Sequence, residues 1–152
     1  MKRIITGLVV MMVLVFCAAF ISQAATQEEA KANVEKAMAF WKANGKDKAI
    51  AEFNNPKGQF TKGDMYIHVQ DFSGVMLANG GNPKLVGQNH LEVKDASGKT
   101  FVKEQIDTAK TKGSGWVNYM WTNPSTKKVQ AKTAWVQKVD GENIFIGCGV
   151  WK

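Results

Sequence analysis

The sequence predicts an α+β fold, in which helices cover an antiparallel sheet of five to six strands. Three observations predict it. Apolar residues recur at spacings of three and four over 26–44 and again over 96–112, the period of a helix with one buried face. Residues 65–70 alternate instead with period two, as a half-buried strand does. From 115 onward, β-rich stretches are separated only by Asn123-Pro124-Ser125 and Asp140-Gly141, connections too short for parallel neighbours.

In chain order, the first segment is unlike the rest. Met1-Lys2-Arg3 is a basic start, Ile4–Ile21 is an uncharged apolar run, and Ser22-Gln23-Ala24 places small residues ahead of a cut before Ala25. These are the three parts of an export signal over 1–24. The alternative is an uncleaved anchor, since 18 apolar residues just reach across a bilayer. Either reading puts the remainder outside the cytoplasm, in the periplasm or on the outer face of the membrane.

Residues 25–57 read as a helical segment. Thr26 and Glu29 form a capping box, and Ala30, Val34, Ala37, Met38 and Trp41 line one face as far as Asn44-Gly45. A shorter helix follows over 47–53 and stops at Asn54-Asn55-Pro56. The core, 58–152, opens with Met65–Gln70, which places Met65, Ile67 and Val69 on one face and Tyr66, His68 and Gln70 on the other. Asp71-Phe72-Ser73-Gly74 turns the chain into a partner strand over 75–78, and a Gly- and Asn-rich loop covers 79–89. Ala96–Lys112 is a helix with Phe101, Val102, Ile106 and Ala109 inward. Strands over 115–122, 129–139 and 143–151 complete the chain, with helices expected on one side of the sheet.

Composition excludes several classes. Of 20 basic residues, Lys2 and Arg3 lie in the leader; the other 18 are all lysine and face 13 acids, net +5. Without arginine, bidentate contacts to phosphate and guanine are unavailable, so nucleic acid is not a partner. With Cys17 in the leader, Cys148 is alone among apolar neighbours and reads as a small core residue. His68 and His90 are too far apart, with no Cys or His beside either, to announce a metal site, and none is expected. Gly113-Ser114-Gly115 follows a helix, so it is a turn and not a nucleophile elbow. No cofactor motif and no catalytic constellation is present in the sequence, and the chain does not read as an enzyme.

Several ordered blocks resemble the single Cache family of extracytoplasmic PAS-like sensor domains. They are Gly63-Asp64-Met65-Tyr66-Ile67-His68-Val69-Gln70-Asp71-Phe72-Ser73-Gly74, Asn82–Asn89 with Lys94–Lys99, Gly115–Trp121 with Asn123-Pro124, Lys132–Val136, and Ile146–Trp151. The resemblance implies a long N-terminal helix, an antiparallel sheet, and a ligand held between that sheet and the loop and helix above it. It also implies binding of a small organic acid or similar metabolite, and signalling through a membrane chemoreceptor or sensor kinase. With no second span or kinase after Lys152, the expectation is a stand-alone exported copy acting through a separate partner.

Tyr66 and His68 share one strand face, Tyr119 and Trp121 another, and Lys132 lies on the strand after that. Where those faces agree, they give an aromatic-walled site with one ammonium, suited to a carboxylate. Lys132 stands between small neighbours, unlike a solvated lysine. Asn79 joins the set through the resemblance, where relatives often carry His. His68 also reads as a partly buried imidazole satisfied by a neighbour, and Trp121, Trp116 and Trp135 as packing residues. The alternative function is a protein-interaction accessory with a filled pocket, docking on a sensor or on a second copy through Val34, Met38 and Trp41 of the N-terminal helix.

Overall fold

A computed structural model describes residues 24–152. The export-signal reading of 1–24 therefore lies outside the described residues but for Ala24. Among the described residues, no helix is long and apolar enough to cross a membrane.

Helix α1 spans Gln27–Asn44. The Thr26 hydroxyl accepts from the Glu29 amide at 3.2 Å, and the Glu29 carboxylate accepts from the Thr26 amide at 2.8 Å. This reciprocal cap satisfies two amides that no helical carbonyl can reach. Gly45, at φ 80°, ends the helix and starts α2, Lys46–Phe53. Strand β1 (Thr61–Lys62) has no counterpart in the sequence reading, being only two residues long. Strand β2 (Met65–Asp71) and β3 (Met76–Asn79) form the hairpin, whose turn is held by Asp71 Oδ1 accepting from the amides of Ser73 and Val75. Helix α3 (Phe101–Lys112) then leads into β4 (Ser114–Thr122), β5 (Val129–Lys138) and β6 (Ile144–Trp151).

The sheet is antiparallel throughout, in the order β1-β2-β6-β5-β4, with β3 also on β2. The last strand thus sits at the centre, between the first hairpin and β5. Alternation divides its side chains. Ile144, Ile146, Cys148 and Val150 join Met65, Ile67 and Val69 beneath Ala30, Val34, Ala37 and Trp41 of α1. Phe145 joins Val117, Tyr119, Ala134 and Val136 beneath Phe101, Val102, Ile106 and Ala109 of α3.

Two expectations are corrected here. Helices do not lie on one side of the sheet; α1 and α3 cover opposite faces, because β5 and β6 carry apolar residues at both parities. The face of α1 assigned to docking is also unavailable, since Val34 and Trp41 are buried against the chain's own sheet and Met38 is partly buried there.

Helix α3 begins at Phe101 rather than Ala96 because Asp95 holds the preceding residues in a turn. Its Oδ1 accepts from Ser97 N, Ser97 Oγ and Lys99 N, and its Oδ2 accepts from Met120 N at 2.8 Å. Lys99 Nζ donates to Asn118 O at 2.6 Å. Strand β4 is a sheet edge, so these contacts occupy main-chain groups left open to another strand. Burial opposes ionisation of Asp95, but the Ser97 hydroxyl and the amides of Met120, Lys99 and Ser97 outweigh it and hold the pKa at about 2. A depressed carboxylate pKa gives stability that is complete above its unfolded value of 3.8 and disappears as pH falls toward 2. Asp95→Ala is expected to destabilise the fold by about 2 kcal/mol at pH 7. In urea titrations across pH 2–6, the gap from wild type should close between pH 4 and 2.

Candidate functional site

Beneath α3 the sheet does not close completely. A cavity there is lined by Tyr66 and His68 from β2, Asn79 from β3, Tyr119 and Trp121 from β4, and Lys132 from β5. All six residues singled out in the sequence therefore stand around one hollow. Register explains the convergence. His68 pairs with Gly147 and Asn79, and Tyr119 pairs with Lys132, so residues far apart in sequence share a face. Gln70, Met76, His90, Phe101, Val102 and Gln105 also line the hollow and were missing from the sequence-based set.

Two glycines on β6 make the space. A Cβ at Gly147 would overlap the His68 ring, with Cε1 at 2.5 Å, and one at Gly149 would stand 2.6 Å from Lys132 Cε. A third, Gly81, lets the loop pass the Tyr66 ring, whose Cε1 a Cβ would approach to 2.5 Å. Gly-Cys-Gly inside a strand signals such close approach, and that signal was legible in the sequence.

Lys132 is 1% exposed. Its Nζ lies 4.0 Å from the Tyr66 ring centroid and 4.5 Å from that of Trp151. Among the described residues, the ion pairs are Lys46–Glu142, Lys62–Glu29, Lys99–Glu104 and Lys103–Glu92, and none involves it. Aromatic faces attract a cation through their negative π-surfaces, more strongly where water is excluded. Burial works against the charge, but the Tyr66 and Tyr119 phenols outweigh it and raise the Lys132 pKa.

Comparison with known proteins identifies the family. A family model described as Single Cache domain 2 covers residues 4–151. The chain belongs to that family. Over 88 residues, 58% of this chain, it is 31% identical to the methyl-accepting chemotaxis protein McpP of Pseudomonas putida and 32% identical to the sensor histidine kinase MctS of Rhizobium johnstonii. Those segments cover 16% and 19% of the two relatives, so the match spans under a fifth of either. A methyl-accepting chemotaxis protein of Vibrio parahaemolyticus superposes with a TM-score of 0.69 at 21% identity, covering 82% of this chain and 86% of that one. A Cache chemosensory domain solved to explain carboxylic acid recognition superposes at 0.64 with 27% identity, over 82% and 86% of the two chains.

In this single Cache domain the site's electrostatics are simple. His68 is buried, and burial first, then the Lys132 charge, lowers its pKa to about 3. The ring is therefore neutral at physiological pH, and its Nε2 finds no partner among the described residues, contrary to the expectation of a satisfied imidazole. Burial also lowers the His90 pKa and raises that of Tyr119 to about 12. Tyr119 stacks on Phe101 of α3 at 4.5 Å and 4°. Asn79 Oδ1 is committed to the loop, accepting from the amides of Gly81 and Asn82 at 3.1 and 2.8 Å. Cys148 lies on the opposite face, where Asn33 Nδ2 donates to its Sγ at 3.6 Å and burial pushes the thiol up to about 11.

The hollow offers about 20 Å³ to the centre of a water molecule, and roughly 10–15 Å³ admits one water. Outside it runs a groove of about 520 Å³, and Tyr66, Asn79 and Trp121 line both spaces. Trp121 is partly exposed and packs edge-on against His90 at 6.5 Å.

Gly147→Ala is expected to destabilise the protein by about 1–3 kcal/mol through overpacking, and His68→Ala should relieve much of that penalty when combined with it. Melting temperatures of the two single variants and the double variant measure the coupling. Because folding lowers the His68 pKa, the unfolded chain binds more protons between pH 6.5 and 3, and stability falls across that window. His68→Gln should shallow the fall.

Proposed function

We propose that this domain is the ligand-binding part of an extracytoplasmic sensor, holding a small organic anion, a carboxylate first of all, beneath α3. The supporting observation is the Lys132 ammonium, buried on the wall of a cavity with no acidic partner among the described residues. An ionised group removed from water costs several kcal/mol unless countered, and an anionic ligand would supply the counter-charge. With His68 neutral, a single positive charge selects the ligand. Access would run from the outer groove past Trp121, which would move as the hollow enlarges around its guest.

Occupancy would be read by a membrane chemoreceptor or sensor kinase, the two kinds of protein whose segments the chain resembles. An extracytoplasmic location has support from the apolar leader and from the likeness to a periplasmic sensor domain of a chemotaxis protein, at 25% identity and a TM-score of 0.64. We assign no catalysis to it: the thiol of Cys148 is protonated and on the far side of the sheet.

A second reading, an interaction module whose hollow is filled by its own side chains, is favoured by the water-sized volume alone. Thermal-shift titration with acetate, propionate, lactate, amino acids and amines separates the two. A carboxylate at 100 times its dissociation constant should stabilise the protein by about 2.7 kcal/mol. Lys132→Met should abolish that response while melting, unliganded, at or above wild type, since an apolar side chain replaces a buried charge. The wild-type affinity should stay level from pH 7 to 8, because the pKa values of both His68 and His90 are lowered from 6.5. Silence towards every compound would favour the filled module.

A further inference from the structure

Asp64 lines neither the hollow nor the outer groove, yet it holds parts of both. It sits in the turn between β1 and β2. Its Oδ1 accepts from the Ser125 hydroxyl and its Oδ2 from Asn123 Nδ2 at 3.4 Å. Its main-chain oxygen accepts from Trp151 Nε1 at 3.2 Å. Strands β2 and β4 are separated in the sheet by β6 and β5, so these contacts reach across two strands. One residue thus ties the start of β2 to the β4–β5 loop and to the end of β6.

The loop it holds is a wall of the groove, where Thr122, Pro124 and Lys127 stand with Asn82, Lys84 and Leu85 from the segment after β3. Asn123 folds the loop locally, its Oδ1 accepting from the amides of Ser125 at 2.8 Å and Thr126 at 3.3 Å. Lys127, at φ 60°, takes a left-handed conformation that a residue other than glycine keeps only where its surroundings impose it. Trp121, which lies between hollow and groove, is two residues before Asn123. Trp151 lays its ring against Lys132 Nζ from the other side. Losing the Asp64 carboxylate would free the loop beside Trp121 and leave the main-chain bond to Trp151 intact.

We propose that Asp64 is a positioning residue for the hollow: its carboxylate clasps the β4–β5 loop shut, and solvent reaches Lys132 only when that clasp opens. The inference rests on the reading of the hollow as a ligand site for its purpose, but its test needs no ligand. The purified protein is pulsed with acetic anhydride and each lysine is read by mass spectrometry. Buried Lys132 reacts only on opening, and exposed Lys42 and Lys84 calibrate the reagent. Alkylation of Cys148 by iodoacetamide, in parallel, reports opening of the opposite face. Asp64→Ala should raise Lys132 labelling roughly tenfold relative to Cys148, the effect of one lost charge-assisted hydrogen bond. Asp64→Asn keeps an acceptor for Ser125 and should fall between wild type and Asp64→Ala. Ser125→Ala removes the same bond from the loop side and should also raise the ratio; it carries the test if Asp64→Ala folds poorly. An unchanged ratio overturns the inference, whether Lys132 stays unreactive or its rise is shared equally by Cys148 through general loss of stability. Failure of every acid in the thermal-shift titration would overturn the Lys132 reading, while the labelling ratio would still decide the clasp.

Discussion

The structure around the site follows from one ammonium placed out of water. Lys132 has no acidic partner in the described chain, and the aromatic faces of Tyr66 and Trp151 lie against its Nζ. That charge adds to burial in keeping His68 unprotonated. It also fixes the need for Gly149, since Lys132 Cε lies where a side chain on the neighbouring strand would begin. A lysine can occupy this place where arginine could not be swapped in freely, because its single nitrogen fits between ring faces without a planar fork to satisfy.

Alternation on β6 separates two tasks within one strand. Ile146, Cys148 and Val150 complete the apolar layer under α1, while Gly147 and Gly149 leave room on the other face for His68 and Lys132. The layer under α1 is apolar but for Asn33, whose amide donates to Phe60 O and Cys148 Sγ. The layer under α3 keeps Gln70, His68, Gln105 and Lys132 in its interior, at the cost of polar groups that the fold does not satisfy by itself. The sheet edge beside this layer is occupied by Asp95 and Lys99, which also set where α3 begins.

Much of this was legible in the chain. The Thr26–Glu29 box placed the start of α1, period-two alternation divided β2 into its two faces, and the Asn-Pro and Asp-Gly turns fixed the final meander. The start of α3 was misplaced because the local turn signal of Asp95-Ala96-Ser97-Gly98 was passed over: Asp95 closes that turn through Ser97 and Lys99, and the Met120 amide, 25 residues away, anchors it to β4. Gln105 was overlooked although its spacing from Phe101 and Val102 put it on the inward stripe; a polar residue at such a position is itself a signal. His90 was unreadable, since its burial comes from Trp121 and the loop above the sheet and not from any periodicity of its own.

By itself the sequence determined the class of fold, the elements and the faces of the strands, because helical and extended periods are local consequences of backbone geometry. It also determined that a lone lysine would sit among small residues on a strand face. Only the tertiary structure decided that α1 and α3 take opposite sides of the sheet, and that Lys132, His68 and Gln105 meet in one small hollow. Strand order and register bring together residues that chain spacing leaves unrelated, and those pairings are chosen by the packing of the whole sheet.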